Sequence, residues 1–304
     1  KMSIYNKKIY NFSQIIKESS LPRLETEILI SFLLRKNREF LMTHPETIIS
    51  PEIYKKFKTL EAKRLKDWPI AYLIGHKEFY GLDFKVTPVV LIPRPETEMI
   101  VDEIVETIKD EVNHTNRFNS VLHIVDLGTG SGAIITAVSS EIKRIFPAQF
   151  KNIKLSAVDI SASALNIAKQ NAKIHKLDSK INFYRGNLLA PLKLGGKRLA
   201  GQSLLIAANL PYLTPTQIKK SPSIRREPRL ALNGGSNGLK YYRELFLALA
   251  DLSKEQNFSF KVLCEIDPSQ SQKIRFLAAK ILPKAKVEIK QDLAKLQRLA
   301  VISQ

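Results

Sequence analysis

From residue 120 onward, short apolar runs alternate with longer amphipathic ones, and this alternation limits the possible folds more than any other feature of the 304-residue chain. The runs 121–127, 154–159, 181–185, 204–209, 261–265, 285–290 and 299–303 have the length and apolar character of buried strands. Helices are predicted to start near Gly132, Ser161, Leu239 and Pro268. Strands separated by helices need crossover connections, so the pattern predicts a parallel sheet covered on both faces. The stretch from Pro191 to Gly201 has no period and predicts no element.

The loop after the first strand reads Asp126-Leu127-Gly128-Thr129-Gly130-Ser131-Gly132-Ala133 and leads into a helix. Glycines there permit positive φ and close approach of a ligand to the backbone, and the helix start offers free N–H groups. Ligands of such sheets sit at the carboxyl ends of strands, near the point where strand order reverses. The loop also satisfies Gly-x-Gly-x-x-Ala, so a dinucleotide fold competes. Asp159 closes the second strand, where nicotinamide and S-adenosylmethionine folds alike place an acid on the ribose. A helix-capping role at Ser161 would also account for it.

At the end of the fourth strand stands Asn209-Leu210-Pro211-Tyr212. Asn and Pro are common in strand-ending turns. The same residues also suit a planar NH2 group. The Asn209 side-chain oxygen and the Leu210 carbonyl can each accept one of its hydrogens. Pro211 holds Leu210 extended, and Tyr212 offers a face for stacking. A dinucleotide enzyme does not need this arrangement, whereas a methyltransferase acting on a planar nitrogen does. Its nitrogen lone pair is delocalised, so the protein's task is alignment and stabilisation of the charge growing on nitrogen.

Upstream, residues 1–75 read as a small helical bundle. One helix follows Pro22, and another begins near Pro51 with Ile53, Phe57 and Leu60 on one face and Lys55, Lys58 and Lys66 on the other. A hairpin-like connector, 79–86 and then a run at 89–92, precedes a helix extending to about Lys109. The single cysteine, Cys264, excludes an internal disulfide and reads as a core residue. The five histidines have no ligand spacing, and no metal is expected. No apolar run approaches the roughly 18 residues of a membrane helix, and residues 1–10 lack a signal-peptide core. A cytoplasmic protein without membrane contact is the expectation. The net charge of +19, from 48 Lys+Arg against 29 Asp+Glu, suits an RNA-rich or acidic partner. A lysine-rich proteome would give the same count.

Over nearly its whole length the chain resembles the HemK/PrmC family, the glutamine methyltransferases of peptide chain release factors. The resemblance is carried by 69–75 (Pro-Ile-Ala-Tyr-Leu-Ile-Gly), 78–81 (Glu-Phe-Tyr-Gly), and above all Leu91-Ile92-Pro93-Arg94-Pro95-Glu96-Thr97-Glu98. It continues through Asp126 to Gly132, Asp159, 227–232 (Glu-Pro-Arg-Leu-Ala-Leu), Gly234-Gly235 and Gly238-Leu239, with weaker matches at Glu265, 292–294 and Arg298. The related ribosomal-protein glutamine methyltransferases lack the full Pro-Arg-Pro-Glu-Thr-Glu run.

The resemblance implies an α/β class I S-adenosylmethionine-dependent methyltransferase. Its Rossmann-like, mostly parallel seven-stranded sheet would be preceded by a small N-terminal helical bundle. Domains at 1–75 (helical, docking the substrate), 76–96 (hairpin connector) and 97–304 (methyltransferase) are expected. The implied reaction moves a methyl group from S-adenosyl-L-methionine to the glutamine amide of the release factors' Gly-Gly-Gln motif, with an association with the ribosome. Gly128, Thr129, Gly130, Ser131 and Gly132 would line the methionine part of the cofactor. Asp159 would hold the ribose, and Asn187 and Leu188 would border the adenine. Asn209, Leu210, Pro211 and Tyr212 would hold the glutamine, with Asn209 also touching the cofactor.

Three positions depart from the family pattern. Leu210 replaces the first Pro of Asn-Pro-Pro-Tyr, Asn187 stands where Asp is common, and Lys295-Leu296 replaces a Gly-containing turn. Asn-Leu-Pro-Tyr also occurs in adenine dimethyltransferases of ribosomal RNA, which the charge of +19 would suit. A catalytically idle release-factor or ribosome adaptor is the other alternative. The Pro-Arg-Pro-Glu-Thr-Glu run and the helical domain ahead of the sheet oppose the RNA reading. Cofactor binding separates the adaptor from either enzyme.

Overall fold

The computed structural model describes residues 10–115 and 122–304. The chain divides into two compact units, one running to His76 and including Pro222–Arg226, the other comprising Lys77–Ser221 and Glu227–Gln304.

The first unit contains the two-residue strands β1 (Tyr10–Asn11) and β2 (Ile48–Ile49), paired antiparallel. Its helices are α1 (Phe12–Glu18), α2 (Arg23–Leu34), α3 (Arg38–Thr43), α4 (Pro51–Arg64) and α5 (Ile70–Ile74). Side chains cap three of them at the start. Asn11 and Gln14 form a reciprocal capping box, Asn37 caps α3, and Ser50 caps α4 ahead of Pro51. Phe12, Ile15, Leu29, Ile30, Leu41, Ile49 and Phe57 close the core. The buried carboxylate of Glu61 accepts from the Ser19 hydroxyl (3.0 Å) and the Ser20 N–H (2.9 Å) and pairs with Lys58, tying α4 to the end of α1. In the Pro222–Arg226 segment, Arg226 donates to the Lys66 carbonyl (3.0 Å) and lies over the Trp68 ring. The expected lysine face is corrected in two respects. Lys66 falls beyond the end of α4, in a turn closed by its N–H on the Lys63 carbonyl (2.9 Å), and Lys58 is committed to Glu61.

The strand β3 (His76–Phe79), whose last three residues belong to the second unit, and β4 (Leu82–Lys85) form a two-stranded sheet. They are joined at Tyr80-Gly81, both left-handed as a tight two-residue turn requires. The expected second run, Val89 to Ile92, is not a strand. Pro88 and Pro93 remove ladder donors, the Val90 N–H closes a turn on Thr87 (3.0 Å), and the Ile92 N–H goes to the Glu227 side chain (3.1 Å).

After α6 (Glu98–Thr115) come β5 (Leu122–Leu127), α7 (Ala133–Ile145), α8 (Pro147–Phe150), β6 (Lys154–Asp159), α9 (Ala162–Ile174) and β7 (Ile181–Arg185). Residue 121, expected to start the first strand, lies outside the described residues. Two 3-10 turns, Ala190–Leu192 and Gly196–Leu199, replace a crossover helix before β8 (Ser203–Ala208). Then follow α10 (Pro215–Lys220), α11 (Arg229–Leu232), α12 (Lys240–Glu255), β9 (Ser259–Glu265), α13 (Ser271–Ile281), β10 (Lys286–Gln291) and β11 (Gln297–Ser303).

Among the described residues the main sheet has seven strands, in the order β10-β11-β9-β8-β5-β6-β7. It is parallel except for β11, which runs antiparallel to both of its neighbours. This is the expected mostly parallel α/β sheet, and strand order reverses between β5 and β8. Its two faces carry separate apolar clusters, one with α6 and α7 and the other with α12 and α13. Cys264 is fully buried in the second. Among the described residues, no helix is long and apolar enough to cross a membrane.

Candidate functional site

Sheet register assembles the site. Leu127 is aligned with Val158 on one side and Ala208 on the other, so Gly128, Asp159 and Asn209 leave the sheet side by side. A cavity of about 360 Å³ opens at these strand ends, a size suited to a small-molecule ligand. Gly128, Gly130, Asp159, Asn187, Leu188, Asn209, Leu210 and Pro211 all line it.

Gly128 and Gly130 have φ of 69° and 55°, the left-handed region that favours glycine. A side chain at Gly130 would meet nothing closer than 3.8 Å, so it would stand in open space beside the cavity. The Gly130 N–H donates to Asp159 Oδ2 (2.9 Å), and the Ser161 N–H donates to Oδ1 (2.8 Å). Ser161 itself caps α9. Burial raises the Asp159 pKa against these donors.

Thr129, Ser131 and Gly132 do not line the cavity. Thr129 and Ser131 are buried behind it, and the Thr129 hydroxyl donates to Asp126 Oδ2 (2.6 Å). Gly132 packs against Ala168, where a Cβ would sit only 3.0 Å away. The buried Asn171 amide holds this loop to β4 through the Ser131 carbonyl (2.8 Å) and both backbone groups of Lys85. Asp126 is fully buried, its Oδ1 has no hydrogen-bond partner among the described residues, and burial pushes its pKa to about 7.

At the other wall, Asn209 Nδ2 donates to Thr97 Oγ1 (3.0 Å), which donates to Glu265 Oε2 (2.5 Å). The Tyr212 hydroxyl, away from the cavity, donates to Glu265 Oε1 (3.1 Å). Burial pushes the Tyr212 pKa up, and the neighbouring Glu265 pushes it further. Asn187 Nδ2 donates to Glu244 on α12 (3.3 Å).

Several residues that the motifs contain, but for which the sequence offered no role, build the walls. Buried Glu227 takes the Ile92 N–H and pairs with Arg94, joining the segment that supplies Pro88, Val89 and Leu91 to the one that supplies Pro228, Leu230 and Ala231. Gly234 and Gly238 press against the backbone of Pro211 and Tyr212. A Cβ at Gly234 would lie 2.7 Å from Tyr212 Cα, and one at Gly238 would collide with the Tyr212 carbonyl and Gln270. Gln270 Nε2 donates to that same carbonyl (2.8 Å).

Residues 11–75 match the PrmC N-terminal domain, and residues 118–197 match a methyltransferase domain. Among solved structures, the hMettl16 catalytic domain in complex with MAT2A 3'UTR hairpin 6 aligns at TM-score 0.52 and 15% identity, covering 90% of this chain and 91% of that one. At that identity the likeness speaks for the fold alone, that of a methyltransferase catalytic domain. Several curated relatives are named release factor glutamine methyltransferase. The one from Moorella thermoacetica is 35% identical over 84% of this chain and 82% of its own. That from Bacillus cereus is 32% identical over 92% of each chain. The Coxiella burnetii relative is 38% identical over 74% of this chain and 73% of its own. With both parts of the chain matched and these identities sustained over most of its length, the chain belongs to the release factor glutamine methyltransferase family.

Proposed function

We propose that this protein transfers a methyl group from S-adenosylmethionine to the side-chain amide nitrogen of the glutamine in the Gly-Gly-Gln motif of peptide chain release factors. The observation that carries this reading is the state of Asn209. Its NH2 group is committed to Thr97, which leaves Oδ1 as an acceptor at the cavity wall, level with Gly128 and Asp159.

The residues fit the cofactor. Side-chain-free Gly128 and Gly130 leave room for the methionine part, and the carboxylate of Asp159 reaches the same cavity for the ribose hydroxyls. Asn187, with its NH2 on Glu244, keeps an oxygen for the adenine amino group. When bound, the sulfonium supplies an activated methyl carbon and leaves as a neutral thioether. Asn209 Oδ1 and the Leu210 carbonyl each accept one hydrogen of the substrate NH2, which fixes the direction of the nitrogen lone pair. In this reading the same two oxygens stabilise the positive charge growing on that nitrogen. After transfer the methylated nitrogen holds one proton too many and releases it to bulk solvent, which leaves the neutral N-methyl amide. Thr129, Ser131 and Gly132 support the cofactor loop from behind.

The N-terminal unit, with exposed Lys55 and Lys56 on α4, is the docking module for release factor in this reading, and contact with the ribosome is compatible with the charge of +19. The test is transfer of labelled methyl to purified release factor, with ribosomal RNA and a Gly-Gly-Gln-altered factor as controls. Label in that glutamine, abolished in the altered factor, supports the assignment. Label in RNA adenine, or no labelled product, overturns it.

A further inference from the structure

We infer that Glu265 and Thr97 are positioning residues that decide which side of the Asn209 amide faces the substrate, and that the Glu265 charge reaches the reacting nitrogen through them. The inference rests on the reading of Asn209 as the substrate holder given above.

The available protons fix the direction of each bond. An amide NH2 only donates, an ionised carboxylate only accepts, and the Thr97 hydroxyl has one proton to give. That proton goes to Glu265 Oε2 at 2.5 Å, so Thr97 Oγ1 is left to accept, and it accepts from Asn209 Nδ2 at 3.0 Å. Were Asn209 turned over, its oxygen would need the Thr97 proton, and Glu265 would lose a donor. Glu265 is 4% exposed, where a carboxylate short of a donor is costly. Tyr212 satisfies the other oxygen at 3.1 Å. Register explains why these groups meet: Cys264 is aligned with Ala208, so Glu265 lies beside Asn209 on the adjacent parallel strand. A carboxylate at the end of such a chain polarises each bond in it. The result is a more strongly accepting Asn209 Oδ1, where the positive charge of the methylated nitrogen develops.

Protonating Glu265 would remove its claim on the Thr97 proton and release the amide. Burial pushes the Glu265 pKa up and Glu96 adds to this, while Thr97, Tyr212 and Arg298 pull it down. Tyr242 also faces this corner, through its hydroxyl on the Glu265 carbonyl, and Arg94 lies near Tyr212. Turnover should therefore show an acid limb governed by Glu265.

The experiment measures kcat for labelled methyl transfer to release factor across pH, with cofactor affinity by calorimetry and Tm as a folding control. Thr97→Val should lower kcat about 10- to 100-fold, the scale for a lost orienting partner, with cofactor affinity unchanged. Thr97→Ser, which keeps the hydroxyl, should recover most of that loss. Glu265→Gln should flatten the acid limb. Nuclear magnetic resonance reads the orientation without turnover: an Asn209 side-chain amide proton should be protected from exchange in the parent and unprotected in Thr97→Val. Parent-like kcat in Thr97→Val, equal loss in Thr97→Ser, a persisting acid limb in Glu265→Gln, or unchanged amide protection in Thr97→Val would each overturn the inference. If the parent labels no glutamine, the reading of the activity falls, and the amide measurement still decides the orientation.

Discussion

Two acids near the cavity stand in opposite situations. Asp159 is surrounded by donors from Gly130 and Ser161 and reaches the cavity, whereas Asp126 is fully buried with one oxygen unpartnered among the described residues. Asp159→Ala should weaken S-adenosylmethionine binding by about 1.5–3 kcal/mol, the usual loss for a hydrogen bond to a charged group. Calorimetry returning the parent affinity would remove Asp159 from the binding site. For Asp126 the folded pKa, about 7, lies above the ordinary value of 3.8. Its contribution to stability is therefore complete at pH values below the ordinary one and is lost as pH rises through about 7. Asp126→Asn should gain on the parent progressively between those values and level off above them, by on the order of 4 kcal/mol at most. Urea unfolding of both proteins at acid and alkaline pH measures this, and a pH-independent difference would contradict it. Asn209→Ala should cut turnover by about 10²–10³, the scale for one preorganised polar contact, and leave cofactor affinity intact. A loss of affinity without loss of turnover would exclude the substrate-holding role.

At the scale of elements, what the sequence disclosed depended on distance along the chain. The strand 154–159 and the helix starts at Gly132 and Ser161 were legible because period and capping act within a few residues. The turn at Asn209 and the loop from Asp126 to Ala133 stand out in the sequence for the same local reason, yet Thr129, Ser131 and Gly132 of that loop do not line the cavity. Val89 to Ile92 was misread because an apolar run looks the same whether it pairs in a ladder or, as Val89, Val90 and Leu91 do, lines a cavity. The segment 191–201 was silent because 3-10 turns have too short a repeat to register. Thr97 and Glu265 were present only as letters of a motif, since nothing local records a partner 168 residues away. The tight packing at Gly238 is another such long-range fact. Gly238→Ala should cost about 1–3 kcal/mol through overpacking and slow turnover by displacing Tyr212. Gly195→Ala, whose Cβ meets only Glu255 at 3.8 Å, should do neither. Equal thermal stability of the two variants would count against this.

For the molecule as a whole, the charge of +19 acts over a distance that salt controls. With release factor as substrate, KM should rise with ionic strength. A Lys55→Glu/Lys56→Glu variant should raise KM most at low salt, with kcat unchanged, because both side chains are exposed and neither is placed in the site. Kinetics insensitive to salt in both proteins would detach the charge from docking. The stitch at Glu227 has a consequence for the order of events during synthesis. The chain leaves the ribosome from its N-terminal end, so Ile92 emerges 135 residues before the carboxylate that takes its N–H. Until then the Pro88–Leu91 wall has no opposite side, although the glycine loop and Asp159 are already out. Nascent chains arrested before Glu227 should therefore fail to retain cofactor, and the capacity to bind it should appear abruptly, late in translation.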